Sequence, residues 1–223
     1  MEGLLSKYLN DKEPVQYILG YARFFGLKLK VNKSVLIPRP ETELLVEKAI
    51  SLITKNNYKT ALDIGTGSGA IAIAVKKETN VEMTALDISE EALAIAKENA
   101  CTYELDITFI ESDIFSAVKD KYDVILSNPP YISYDDVDNI SEIVYANEPH
   151  LALFSSDNGL YYYKKIIDSL DNYLNPKGVV IMEIGATQAS AISKYLSDNY
   201  SDYQMEVYKD YNNLDRIIVI KRK

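Results

Sequence analysis

From Thr60 onward, short apolar runs alternate with stretches of helical periodicity, and few architectures can bury both. Strands are expected at Thr60–Ile64, Glu82–Asp87, Thr108–Glu111, Tyr122–Ser127 and Gly178–Ile184, and helices at Ile71–Lys77, Glu90–Cys101 and Tyr161–Tyr173. Near-continuous apolar strands need cover on both faces, and the intervening helices supply it. The pattern therefore predicts an α/β fold with a doubly wound, mostly parallel sheet. The last stretch, "YQMEVYKDYNNLDRIIVIKRK", departs from the alternation. Its two strand-like runs are joined by "DYNNLD", with no room for a crossover helix, so it predicts a terminal antiparallel hairpin at one sheet edge.

Ahead of this region, Glu2–Leu9 reads as a short helix, and "NDKEP" is a polar break carrying Pro14. Apolar and polar residues alternate around Leu27, Leu29 and Val31, with turn residues at Gly26 and at Asn32 and Lys33, so Val15–Ile37 reads as a small β-hairpin. Pro40 then opens a helical periodicity at Leu44, Leu45, Lys48 and Leu52, with Glu41 and Glu43 in a first turn whose dipole favours negative charge. A boundary is expected at Pro38–Pro40, dividing the chain into a pre-domain of short helix and hairpin (1–40) and the α/β domain (41–223).

The net charge of −9 weighs against broad binding to nucleic acid backbones, where affinity comes from counterion release by Lys and Arg. The terminal "KRK" reads as a solvated tail. Apolar runs such as "GVVIMEIGA" are too short to cross a bilayer as a helix, and the amino terminus lacks a secretory pattern, so a cytoplasmic protein is expected. With one cysteine, Cys101, no internal disulfide or thiolate cluster can form, and that side chain is expected to be small, buried or half-buried packing. His150 is the single histidine, so neither a zinc site nor a serine–histidine relay is expected, and no metal is assigned.

"ALDIGTGSGAIAIAV" places Gly65, Gly67 and Gly69 between a strand and a helix, where glycine accepts positive φ and admits a ligand close to the backbone. Asp87 ends the next strand, about 20 residues on, as required of a carboxylate that accepts from ribose hydroxyls. Ser89 can cap the following helix and leave Asp87 free. The glycine spacing differs from the dinucleotide fingerprint, and Asp63 beside the loop, with Thr66 and Ser68 within it, favours a cationic ligand over a pyrophosphate. S-adenosylmethionine, with its sulfonium and ammonium, suits such a loop. Asp113 could accept from an adenine amine while Ile114 packs on the ring, or Asp113 could cap a helix; both roles can hold together.

"SNPPYIS" (Ser127–Ser133) leaves the fourth strand at its carboxyl end, on the same rim as the glycine loop. Pro129 and Pro130 fix φ and keep the loop out of helical geometry. The Asn128 side chain and the Pro129 carbonyl can then face the ligand as acceptors, with the flat ring of Tyr131 beside them. Such parts fit a planar NH₂ group. Its lone pair is delocalised, so catalysis depends on orienting it toward a methyl donor rather than on a strong base.

In these segments the sequence resembles the release-factor glutamine methyltransferases, the PrmC/HemK family of class I Rossmann-like methyltransferases. "EPVQYILG", "LIPRPETELLV", "LDIGTGSGAIAI", "NPPYIS", "EPHLALF" and "DYNNLDRIIVI" stand in the family's order. "NPPY" alone is shared with adenine and guanine N-methyltransferases, whereas its combination with "PRPETE" is more specific. The resemblance implies a seven-stranded sheet and methyl transfer from S-adenosylmethionine, leaving S-adenosylhomocysteine, to the glutamine side-chain nitrogen (N5) of the Gly-Gly-Gln motif in class I peptide chain release factors.

Carried over by position, Gly65 to Gly69 and Asp87 hold the cofactor and Asn128 contacts both cofactor and substrate. Pro129, Pro130 and Tyr131 shape the glutamine pocket, with Arg39 and Glu183 nearby. Two departures stand out. Only Met1 to Asn10 stand where the family usually carries a helical domain, and Ile114 stands where it often has an aromatic residue. The alternatives are a nucleic acid amino-methyltransferase acting at adenine N6 or guanine N2, a noncatalytic cofactor-binding homologue and an NAD-dependent oxidoreductase.

Overall fold

β3 (Thr60–Ile64) is buried from its second residue onward because it lies inside a seven-stranded sheet. This computed structural model describes residues 12–223, so the helix expected over Glu2–Leu9 lies outside the described residues. β4 (Glu82–Asp87), β5 (Ile107–Glu111), β6 (Tyr122–Ser127) and β9 (Leu174–Glu183) run parallel to β3. β10 (Tyr203–Lys209) and β11 (Asp215–Arg222) form the terminal antiparallel hairpin, with β11 against β9 and β10 at the edge, which gives the order β10-β11-β9-β6-β3-β4-β5. A separate parallel pair, β7 (Ile132–Ser133) and β8 (Phe154–Ser155), has the short helix α5 (Glu142–Asn147) between its strands in the chain.

Each central strand feeds two cores, as its two-residue period requires. Ala61, Val124, Leu126, Val179, Ile181, Ile217 and Val219 face α2 (Glu43–Asn56) and α3 (Ala70–Glu78). Leu62, Ile125, Val180, Met182, Ile218 and Ile220 face the opposite layer. That layer is α7 (Tyr161–Asp168), which contributes Tyr163, Ile166 and Ile167, and α8 (Ala189–Asn199), which contributes Ile192 and Leu196. α4 (Glu90–Thr102) packs on the first face through Ala100.

The amino-terminal segment forms α1 (Val15–Leu19) and a hairpin of β1 (Tyr21–Phe24) and β2 (Leu27–Lys30). Phe25 and Gly26 both take positive φ (47° and 72°), the conformation of a two-residue turn that matches strand twist. Glu43 holds the strained Phe25 by accepting its N–H at 2.7 Å. Phe24, Leu27 and Leu29 enter the core shared with α2 and α3. Buried Asn99 of α4 completes the attachment: its Oδ1 accepts from Lys30 N at 2.7 Å, and its Nδ2 donates to Lys30 O at 3.0 Å and Ser68 O at 2.8 Å.

Four expectations need correction. α2 buries Leu45, Val46, Ala49 and Ile53, so of the expected periodicity through Leu44, Leu45, Lys48 and Leu52 only Leu45 is buried and the other three are half-buried. β9 begins at Leu174, ahead of Gly178, through an irregular pairing with β6. The helix expected over Tyr161–Tyr173 is interrupted at Ser169. Cys101 is exposed, since the apolar face of α4 is carried by Ala92, Leu93, Ile95, Ala96 and Ala100.

Because Leu29 is fully buried in the shared core, Leu29→Ala should lower stability by about 3 kcal/mol. Denaturant unfolding should show one cooperative transition for hairpin and sheet together, shifted to a lower midpoint; two separate transitions would show that the hairpin folds independently.

Candidate active site

Ile64 and Ser127 are register partners at the ends of β3 and β6, where the strand order reverses. Two loops therefore leave the sheet side by side, and the crevice between them is where open α/β sheets bind ligands. The first is the glycine loop. Gly65 and Gly67 have φ of 70° and 55°, and a Cβ on either would meet nothing within 4 Å. Gly69 serves another purpose: at φ 82° it caps α3, and a Cβ there would lie 2.9 Å from Ile73 Cδ1 and 3.2 Å from Ala96 Cβ. It permits close packing of loop and helices.

The polar residues of the loop point inward. Thr66 and Ser68 are buried, and Thr66 Oγ1 donates to Asp63 Oδ2 at 2.6 Å. Asp63 is wholly buried, and among the described residues its Oδ1 has no hydrogen-bond partner. Burial pushes its carboxyl up to about 7, against the stabilising hydrogen bond from Thr66. It lies beneath the loop and can act on a bound cation through its field rather than by contact.

Asp87 accepts from Gly67 N at 2.8 Å through Oδ2 and from Ser89 N at 3.0 Å through Oδ1. Ser89 Oγ caps α4 by accepting from Ala92 N at 3.1 Å, so the carboxylate keeps lone pairs for a ligand. Burial raises the Asp87 pKa, offset by those backbone donors. A turn rather than a helix follows β5, so Asp113 caps no helix; Ser112 closes the turn, its Oγ accepting from Ala117 N at 3.0 Å and donating to Ile114 O at 2.9 Å. The Asp113 side chain makes no hydrogen bond among the described residues, and Ile114 adopts φ 50°, a strained conformation for a β-branched residue.

An open cleft is lined by Gly65, Gly67, Asp87, Asp113, Ile114, Asn128, Pro129 and Pro130. Asp63, Thr66, Ser68, Gly69, Tyr131 and Arg39 do not line it. Sequence reasoning missed three stretches of its wall: Ser34–Leu36 after the hairpin, Tyr162 of α7, and Pro149 with Leu151 and Ala152 at α6 (His150–Leu153). The segment "EPHLALF" contained a signal for the last of these, but nothing local in Ser34–Leu36 marks it as a wall. Arg39 is committed elsewhere: its Nη2 donates to Glu148 Oε1 at 2.6 Å, while Ile37 N donates to Glu148 Oε2 at 3.2 Å.

The second loop carries Asn128 to Tyr131. Tyr131 is half-buried beside the cleft, with its phenol pushed up to about 12 by burial and by the nearby Glu183. Gln188 fastens this loop: its Nε2 donates to Tyr131 O at 2.9 Å and Gly159 O at 3.3 Å, and its Oε1 accepts from Gly185 N at 2.9 Å. The cleft thus combines the Asp87 carboxylate, an apolar slot at Leu86, Ile88 and Ile114, and Asn128, Pro129 and Pro130 of the proline loop. The open space at Gly65 and Gly67 and the spare lone pairs of Asp87 fit an adenosine bearing a cationic tail.

The Methyltransferase small domain family model matches residues 40–153. The release factor glutamine methyltransferase of Lactococcus lactis subsp. lactis (strain IL1403) is 44% identical over 218 residues, spanning 97% of this chain and 80% of that protein. The enzyme of the same description from Streptococcus pneumoniae (strain ATCC BAA-255 / R6) is 43% identical, spanning 93% and 75%. Among solved structures, ribosomal protein L11 methylase from Lactobacillus delbrueckii subsp. bulgaricus aligns with TM-score 0.62 at 26% identity, covering 83% of this chain and 80% of that one. The release factor-specific protein-(glutamine-N5) methyltransferase from Alicyclobacillus acidocaldarius subsp. acidocaldarius DSM 446 aligns with TM-score 0.53 at 25% identity, covering 87% and 99%.

Gly159 offers a direct test of how the proline loop is held. A Cβ there would lie 2.2 Å from Tyr131 O and 2.6 Å from Gln188 Nε2, at φ 80°. Gly159→Ala should therefore cost about 1–3 kcal/mol in thermal unfolding and increase hydrogen exchange at Ile132 and Ser133. Wild-type exchange there would show that the contact does not hold the loop.

Proposed function

The chain belongs to the release factor glutamine methyltransferase family, and on that premise we propose that it methylates the side-chain N5 of the Gly-Gly-Gln glutamine in class I peptide chain release factors. The observation that carries this reading is one cleft lined both by Gly65, Gly67 and Asp87 and by Asn128, Pro129 and Pro130. In it, Asp87 would hold the ribose, Asp113 and Ile114 the adenine, and the glycine loop the methionine portion of S-adenosylmethionine. When bound, that cofactor supplies an electrophilic methyl group.

The residues of this chain orient the acceptor nitrogen. The Asn128 side chain and the Pro129 carbonyl would each take one hydrogen of the glutamine NH₂, and Tyr131 and Pro130 would confine its plane. Holding a delocalised, weakly nucleophilic nitrogen in attack geometry can contribute on the order of several kcal/mol. After transfer the nitrogen is cationic and loses its proton readily, so no buried base is required. Among the described residues no helix is long and apolar enough to cross a membrane. A cytoplasmic location and a release-factor partner form part of the proposal.

With labelled S-adenosylmethionine and purified release factor, label should map by mass spectrometry to the Gly-Gly-Gln glutamine; label in nucleic acid instead would overturn the reading. Asn128→Ala should reduce turnover by about 100-fold or more while cofactor affinity stays within about threefold. Unchanged turnover would remove Asn128 from the mechanism.

Asp63 gives a pH dependence. A cation above it favours the carboxylate, so binding lowers a pKa that burial holds at about 7 and releases a proton. Affinity should therefore weaken as pH falls below 7. Calorimetry near neutral pH in buffers of different ionisation enthalpy should detect proton release in the wild type and none in Asp63→Asn.

A further inference from the structure

Asn128 lines the cleft, and behind it stand two residues to which the mechanism above gives no part. Its Nδ2 lies 3.1 Å from Thr42 Oγ1, and Thr42 Oγ1 donates to Glu183 Oε2 at 2.6 Å. Thr42 is 4% exposed and Glu183 1%, so water does not compete for either bond. A hydroxyl has one proton, and an ionised carboxylate only accepts. The Thr42 proton therefore goes to Glu183, and whichever end of the Asn128 amide faces Thr42 must donate. That end is the NH₂ group, which leaves Oδ1 for the cleft.

We propose that Thr42 and Glu183 are positioning residues that fix the Asn128 amide with its oxygen toward the substrate, so that it accepts from the glutamine NH₂. The inference rests on the methyl-transfer reading and deepens it. An amide turned the other way would set donor against donor at the acceptor nitrogen and lose the hydrogen bond that aims it. Nothing in Asn128 alone selects between the two orientations, since its two ends are nearly the same shape. The selection comes from the carboxylate at the end of β9, transmitted through one hydroxyl in the turn before α2.

The surroundings of Glu183 make the relay sensitive to protonation. Arg216 faces it from β11, Glu41 from the 3₁₀ turn, Tyr131 from the proline loop, and the Asn128 amide from the end of β6. Tyr163 of α7 donates to the Glu183 backbone carbonyl at 2.9 Å. Burial pushes the carboxyl up to about 7, although Thr42, Arg216 and Asn128 favour the ionised form. Once protonated, Glu183 can donate to Thr42, Thr42 can donate onward, and the requirement that Asn128 present its NH₂ inward is lost. Turnover should accordingly fall as pH drops through about 7.

Two measurements test the relay. The side-chain ¹⁵N–H₂ signals of Asn128, followed between about pH 5 and 9, should shift with a single midpoint and stop shifting in Glu183→Gln. Signals that ignore pH, or titrate equally in Glu183→Gln, overturn the proposal whatever the enzyme methylates. With release factor as substrate, Thr42→Val should lose about tenfold or more in kcat with cofactor Kd within about twofold, and Thr42→Ser should recover most of the loss. Glu183→Gln should flatten the acid limb of the kcat profile. Wild-type kcat in Thr42→Val overturns the relay. If Thr42→Val does not fold, the ¹⁵N titration and Thr42→Ser decide the matter. A wild-type chain that leaves release-factor glutamine unmodified overturns the substrate reading instead, and the ¹⁵N titration still decides the relay.

Discussion

The parallel pairing of β3 with β6 is the constraint from which the rest of the site follows. It sets Ile64 opposite Ser127, and Ser127 Oγ closes the junction by donating to Ile64 O at 2.8 Å. Right-handed crossovers leaving these two strands in opposite directions put their helices on opposite faces and leave a crevice between the departing loops. The loops have left the strand ladder there and need other partners for their backbone groups. Two side-chain amides supply them: Asn99 takes the Ser68 carbonyl of the glycine loop, and Gln188 takes the Tyr131 carbonyl of the proline loop. Each amide also binds a third element, the hairpin for Asn99 and the end of β9 for Gln188. Loop position is thereby tied to the whole domain.

Two buried carboxylates lie under this rim in matching arrangements. Asp63 precedes the glycine loop and accepts from Thr66, and Glu183 ends β9 and accepts from Thr42, each at 2.6 Å. Both are pushed up to about 7 by burial. A buried carboxylate without a close cation is costly, and replacement by an apolar residue would often be neutral or better for stability. What sets them apart is their effect on the cleft above. One lends negative potential to a loop that would bind a cationic ligand, and the other dictates a hydrogen-bond direction.

Much of this was legible in the chain because it rests on local chemistry. The strands at Thr60–Ile64, Glu82–Asp87 and Tyr122–Ser127 have the bounds their apolar runs imply, and the terminal hairpin follows from the short "DYNNLD" connection. Gly65, Gly67, Asp87, Asn128 and the two prolines line the cleft because each sits at a strand end on one rim. What escaped reading depends on distant partners. The helix at Ala189–Asn199 buries only Ala189, Ile192 and Leu196, so its apolar signal is thin. The role of Thr42 depends on Glu183, which lies 141 residues further along the chain.

Arg39 illustrates how a distant pairing shapes the cleft wall. Its partner Glu148 is almost wholly buried, with side-chain exposure of 1%, against 32% for Arg39. An ion pair with one buried member is asymmetric: removing the arginine strands an uncompensated charge, which costs far more than losing a surface pair. Glu148 also accepts from Ile37 N, so both of its oxygens hold the segment leaving the hairpin. That segment includes Val35 and Leu36, and Pro149, Leu151 and Ala152 follow just after Glu148, all lining the cleft. The pair therefore clamps two walls contributed by segments more than a hundred residues apart. "PRPETE" thus joins two functions in one turn: Arg39 sets the wall on one side, and Thr42 reaches the proline loop on the other.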